Sequence, residues 1–179
     1  MKNILLTTIL ITSFSIKAQV KISNESNPSI TNSSVSLEFG NEGRGIILPY
    51  VITTTGSVEG TILLDTTDNK VKYKNGTGTN DWFELSPAAI ASDLTTSLSA
   101  QGTDKVEKAT SKVTIGTTGA TDSTQGILVL TDANKVMILP KVASPHQNII
   151  SPSPGLIVYD TTAKQLAVFN GTKWSFWKP

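Results

Sequence analysis

The chain has 179 residues, with no Cys, a single His (His146), a single Arg (Arg44), 16% charged residues and a formal net charge of +1. About a quarter of it is Ser or Thr. This composition excludes thiolate nucleophiles, disulfide scaffolds and Cys- or His-rich metal centres, and any Ser-His-Asp triad would depend on one histidine in the loop-like stretch Ala143 to Asn148. No catalytic, cofactor-binding or metal-ligating residue is assigned, and the chain reads as a non-enzyme.

Residues 1–18 begin with Lys2 ahead of a run from Ile4 to Ile16 that is apolar apart from hydroxyl residues, and they end at Ala18. This is the pattern of a cleaved secretory signal peptide, too short for a comfortable membrane span. Cleavage after Ala18 removes Lys2 and Lys17 and takes the formal charge from +1 to −1. The remainder is expected to be secreted or on the outer cell surface without a membrane span. Nothing electrostatic recommends nucleic acid or an anionic membrane as its partner.

From residue 19 the pattern turns to β structure. Val35, Leu37 and Phe39 alternate with Ser36 and Glu38, which predicts a strand with one buried face. The run Gly45 to Val51 contains Pro49, so it belongs at a sheet edge or ends there. Thr61 to Leu64, a turn at Asp65 to Asn69, and Lys70 to Lys74 predict a hairpin. Asn75-Gly76 then tolerates the positive φ of a further turn leading to Trp82, Phe83 and Leu85. Residues 86–112 differ in character: Ser86-Pro87 suits a helix start, and Ile90, Leu94 and Leu98 recur every four residues. That stripe fits either a helix lying across a sheet or a short bundle formed by several chains. Gln101 to Lys112 reads as linker.

From Val113 the β pattern returns, and it repeats the first. Gly60 to Thr67, Val71 to Tyr73 and Asn75 to Thr77 align without a gap on Gly155 to Thr162, Leu166 to Val168 and Asn170 to Thr172 at an offset of 95. Leu37, Phe39, Ile46 to Pro49 and Val51 align on Leu128, Leu130, Met137 to Pro140 and Val142 at 91, and Val20 to Ser23 on Val113 to Gly116 at 93. The expected fold is therefore mainly β: two tandem copies of a small antiparallel β-meander unit, residues 19–85 and 113–179, joined by a short helix and linker over 86–112. A meander this small is marginal alone, so the copies should pack on each other or on neighbouring chains.

The order Val-x-Ile-Gly-Thr-Thr (Val113 to Thr118), Ile127 to Leu130, Ile138 to Val142, Pro154 to Thr162 and Phe169 to Trp174 resembles the β-rich repeats of secreted, largely uncharacterised Bacteroidota surface proteins. It is also similar to parts of phage tail fibres and trimeric adhesins. The resemblance implies shaft or head modules, often homotrimeric, that serve display or attachment rather than catalysis.

Two sets of side chains are candidates for sites. Tyr73, Trp82, Phe169, Trp174 and Trp177 could stack sugars, or could seal a small core or subunit interface. Asp65-Thr66-Thr67, Asp122-Ser123-Thr124 and Asp160-Thr161-Thr162 look like the acceptor used for O-glycosylation of exported proteins in this bacterial group, which makes Thr66, Ser123 and Thr161 candidate acceptors. The oxygen-rich run Asp65 to Asn69 invites a Ca²⁺ reading, but Ala163 replaces Asp68 in the second copy, and a hairpin turn is favoured. The leading functional expectation is a secreted structural or adhesion-type protein, trimeric, with surface glycans or proteins as partners. The competing expectation is a carbohydrate-binding module.

Overall fold

The computed structural model describes residues 19–40, 42–100, 108 and 110–178. The expected signal peptide, 1–18, and 101–107 with 109 of the expected linker lie outside the described residues. Within them the chain is mainly β. Strands β1 (Val20–Ile22), β2 (Val35–Phe39), β3 (Ile46–Ile47), β4 (Tyr50–Val51), β5 (Ile62–Asp65), β6 (Lys70–Lys74) and β7 (Trp82–Glu84) lead to helix α1 (Ala91–Ser99). There follow β8 (Val113–Ile115), β9 (Leu128–Leu130), β10 (Val136–Ile138), β11 (Lys141–Val142), the single-turn helix α2 (Pro145–Asn148), β12 (Leu156–Asp160), β13 (Gln165–Phe169) and β14 (Trp174–Trp177).

Two sheets share one design, β4-β5-β6-β7 and β11-β12-β13-β14. The last three strands of each form the expected antiparallel meander. The leading strand departs from expectation, because β4 and β11 pair parallel with β5 and β12. Between β4 and β5 the loop from Ile52 to Thr61 returns the chain to the start of the sheet, as a parallel pairing requires. The registers correspond: Tyr50 opposes Leu64 and Val51 opposes Asp65, while Lys141 opposes Tyr159 and Val142 opposes Asp160. These partners are related by the offsets 91 and 95 that align the sequence. Likewise β1 lies parallel to β2 with Val20 opposite Leu37, and β8 lies parallel to β9 with Val113 opposite Leu128.

The first hairpin of each meander is set by an aspartate at its turn. Asp65 Oδ1 accepts from the Thr67 N–H at 2.9 Å and the Thr67 hydroxyl at 2.6 Å, and Asn69 closes the turn at φ 61°. Asp160 Oδ1 accepts from the Thr162 and Ala163 N–H groups at 2.9 and 3.2 Å, with Lys164 at φ 55°. Such side-chain to backbone bonds mimic a further backbone turn and explain why Asp starts both. Burial opposes ionisation of Asp65, but the bonds from Thr67 and Lys72 outweigh it and hold the carboxyl below its usual range. Lys72 bridges Asp65 at 2.9 Å and Asp68 at 2.6 Å. The run read as a possible Ca²⁺ loop thus spends its carboxylates on the hairpin and one lysine.

The Leu48-Pro49 step sends the two halves of its run to different sheets. Beyond Pro49, β4 joins the first meander, where Pro49 O accepts the Leu64 N–H at 2.9 Å. Before it, β3 pairs antiparallel with β12 of the second meander, Ile47 opposite Leu156 and Ile46 opposite Ile157. The corresponding β10 pairs parallel with β2. The two halves of the chain therefore exchange strands.

That exchange corrects the reading of β2 as half-buried. It is the middle strand of β1-β2-β10, and Ser36 and Glu38 are buried along with Val35 and Leu37. Burial raises the cost of ionising Glu38, yet the Thr31 hydroxyl and N–H, with Lys21 and Lys141, hold its carboxyl below the ordinary range. The main core lies between the two meanders: Leu64 and Val71 of the first meet Ile157 and Val168 of the second, and Leu94 of α1 joins them. A smaller cluster of Val142, Val158 and Ala167 occupies the opposite face of the second sheet, so β12 is buried on both sides.

Candidate assembly surface

The two halves of the chain meet through strand pairing, hydrogen bonds and close packing. The Leu48 N–H donates to Gly155 O at 3.0 Å, and the Tyr50 hydroxyl donates to Pro154 O at 2.7 Å. A Cβ on Gly155, whose φ is 72°, would lie 3.2 Å from the Tyr50 ring and 3.5 Å from Leu48 and Leu64. On the other flank Val136 N–H donates to Ser34 O at 2.8 Å as β10 covers β2. Burial pushes the Tyr50 phenol above its usual pKa.

Helix α1 is seated inside this arrangement. Leu94 is 1% exposed and Leu98 packs on the main core, whereas Ile90 is 58% exposed. The stripe thus lies across the chain's own sheets rather than being available as a whole to a bundle of chains. Ser86 does not cap the helix as the sequence suggests. Its hydroxyl accepts the Val71 N–H at 2.9 Å and so continues the ladder beyond β7, and the helix begins after Ile90 without a side-chain cap. The turn Asn170 to Lys173 fixes the connector: Asn170 Nδ2 donates to Pro87 O, the Ile90 N–H donates to the Thr172 hydroxyl, and that hydroxyl donates to Asp93.

The five aromatic residues singled out from sequence fall into separate groups. Tyr73 and Trp177 are joined through Phe83, with ring centroids 5.5 and 5.1 Å apart, forming a ribbon across both meanders. The Trp177 indole N–H donates to Leu85 O at 2.8 Å. Phe169 and Trp174 pair at 5.3 Å, and Trp174 continues to Phe176, whose ring meets His146 at 5.6 Å. Trp82 stands apart beneath the Lys74 ammonium, 5.0 Å from its ring centre. Phe83, which joins Tyr73 to Trp177, and Phe176, which joins Trp174 to His146, were not among the sequence candidates, although both stand one or two residues from a tryptophan on a short strand.

The candidate acceptor hydroxyls differ in setting. Thr66 is half-buried and its hydroxyl donates to Val51 O at 2.8 Å. Ser123 and Thr161 are exposed. Ser123 lies in a loop tied down by Lys112, whose ammonium reaches Asp122 O at 2.6 Å and Thr124 O at 3.2 Å. Among the described residues no group of three or more His, Cys, Asp or Glu is placed to hold a metal ion, and no helix is long and apolar enough to cross a membrane.

Apolar residues on and beside the strands remain exposed. Ile47 is 53% exposed and Ile127, Leu128 and Val136 are open to solvent as well. The last three, with β8 and β9, belong to the second half. No curated protein and no solved structure matches the chain. Residues 114–178, running from β8 through the second meander, match the model of a family described as the phage tail like trimerisation region, which supports the likeness to phage tail fibres read from the motifs.

Proposed function

We propose that the chain is the subunit of a homotrimeric, exported surface module that acts by assembling and displaying β structure for attachment, without catalysis. The observation that carries this reading is the match of residues 114–178 to a trimerisation region, over the half of the chain that exposes Leu128 and Val136 on its strands and Ile127 just before β9. Isolated exposed apolar residues are ordinary, but strand residues exposed beside an unpaired sheet edge invite pairing with another chain. Light scattering on the protein beginning at Gln19 should give three times the mass of one chain. A clean monomer at high concentration would refute the trimer.

Export through residues 1–18 predicts that native protein recovered from outside the cell begins at Gln19. The intact mass of that material also tests O-glycosylation. Ser123 and Thr161 offer free-standing exposed hydroxyls, whereas Thr66 is engaged with Val51 O, so modification should favour the first two. A mass equal to the bare chain excludes it.

A second reading, a carbohydrate-binding module, draws on the half-exposed ribbon Tyr73, Phe83 and Trp177. Binding on a glycan array that is lost in Phe83→Ala with the fold intact would favour it, and a blank array would count against it.

A further inference from the structure

The two halves contact each other head to tail, and the elements used on one side differ from those used on the other. The first half offers the free edge of β2 to β10 and the strand β3 to β12. Each half also holds elements corresponding to those the other half uses. Those corresponding elements are left without a strand partner among the described residues: the outer edge of β9, the second edge of β10, the second edge of β3, and the stretch Thr61 and Ile62 at the start of β5 that matches the stretch of β12 covered by β3.

The open edges carry groups of the correct orientation. Along a strand, successive N–H groups point to opposite edges. Leu48 N–H is spent on Gly155 O, so Ile47 N–H points away from β12, and Val136 N–H is spent on Ser34 O, so Met137 N–H points away from β2. Burial shows the same half-made state. Leu37 is 1% exposed beneath β10, while its counterpart Leu128 is 45% exposed, and buried Ser36 corresponds to Ile127 at 61%. Gly155 is packed against Tyr50, Leu48 and Leu64, whereas a Cβ on its counterpart Gly60 would meet nothing within 4 Å.

We infer that neighbouring chains of the trimer join by repeating the internal junction: β3 of one chain lies along β9 of the next, and β10 of that next chain lies along Thr61 and Ile62 of the first. The occupant of the open edges is thus a second copy of this chain. Transferring the internal register by its offsets sets Ile46 opposite Leu128, Ile47 opposite Val129, Met137 opposite Ile62 and Ile138 opposite Thr61 across the boundary. A head-to-tail contact of this kind closes into a ring or runs on as a filament. The match to a trimerisation region selects closure at three. Charge supports the pairing. Where the Tyr50 hydroxyl meets Pro154 O inside the chain, the corresponding residues between chains are Lys141 and Glu59, both exposed and of opposite sign.

This inference rests on the trimer proposed above, and the experiment separates the two. The chain contains no Cys, so Thr61→Cys combined with Ile138→Cys introduces one candidate bridge across the boundary, at a spacing that paired strands and disulfides share. Mild oxidation should produce covalent dimers and trimers on a non-reducing gel. The control Ile47→Cys with Leu156→Cys places the same bridge inside the chain and should leave monomers. Monomers only from the first pair, or a ladder extending past the trimer, overturns the junction. If unmodified protein scatters as a trimer in that case, the trimer stands and only the junction falls; if it scatters as a monomer, both fall. A second measurement leaves the four edges proposed to pair untouched. Glu59→Lys should raise the concentration needed for trimer several-fold, and adding Lys141→Glu, which also opposes Glu38 within its own chain, should recover part of that loss. Failure to recover in the double variant also overturns the junction.

Discussion

Replacing Leu94 by Ala tests whether α1 holds the two meanders together. Leu94 is 1% exposed and packs with Leu64, Val71, Ile157 and Val168, drawn from both sheets. The substitution removes three carbons, worth about 2.4 kcal/mol of transfer at ~0.8 kcal/mol per buried group. A cavity cost is added because sheets on both sides and the Asn170-Gly171 turn restrain collapse: a Cβ on Gly171 would lie only 2.8 Å from Leu94 Cδ2. The expected total is about 3 to 4 kcal/mol, inside the range of about 2–5 kcal/mol known for buried Leu→Ala changes. Ile90→Ala, four residues earlier on the same stripe but 58% exposed, should stay within about 0.5 kcal/mol. Urea unfolding at one fixed protein concentration measures both, since association would otherwise shift the midpoint. Equal effects of the two substitutions would refute the placement of the helix in a shared core. So would Leu94→Ala abolishing the trimer while leaving the unfolding midpoint unchanged, because the stripe would then serve other chains.

Two further outcomes follow from single side chains. Asp132 receives the Thr117 N–H at 2.9 Å, the Lys135 ammonium at 2.9 Å and the Thr117 hydroxyl at 2.8 Å, which lower its pKa to about 2. A carboxyl whose folded pKa lies below its unfolded value of 3.8 contributes stability above that value and loses it as pH falls through about 2. Carboxyl NMR should place its midpoint near 2, Asp132→Asn should remove that part of the acid dependence, and an ordinary midpoint would dismiss the Thr117 contacts. Tyr50→Phe deletes the 2.7 Å bond to Pro154 O and leaves a buried carbonyl unpaired, at a cost of about 1–3 kcal/mol. Denaturant titration with no measurable loss would argue that the internal junction does not depend on this bond.

The strands and their turns were legible in the sequence because they follow local rules. The alternation in Lys70 to Lys74 and the aspartates at 65 and 160 specify hairpins without reference to the rest of the chain. Partner choice was not legible. A two-residue strand such as Ile46–Ile47 carries no signal for which sheet it joins, and Pro49 marks only that the run must break. The same blindness made Ser36 and Glu38 look solvent-facing, since their burial depends on β10 arriving from the second half. Ser86 departs from its expected capping role for a similar reason: its hydroxyl serves the Val71 N–H at the end of a sheet ladder instead. In the aromatic set, the place of Phe83 between Tyr73 and Trp177 follows only from packing two sheets side by side, which no local pattern signals.

The exchange of β3 and β10 also sets a schedule for synthesis. The partners that cover β2 and engage β3 lie over half the chain's length downstream, so the first half leaves the ribosome with an exposed parallel sheet that it cannot complete. Pairings so distant form late, and edges left waiting are prone to pair with the wrong molecule. Ser36 and Glu38 alternate with Val35 and Leu37 along the strand that waits. Polar side chains at alternate positions limit the apolar surface that this strand exposes before its cover arrives.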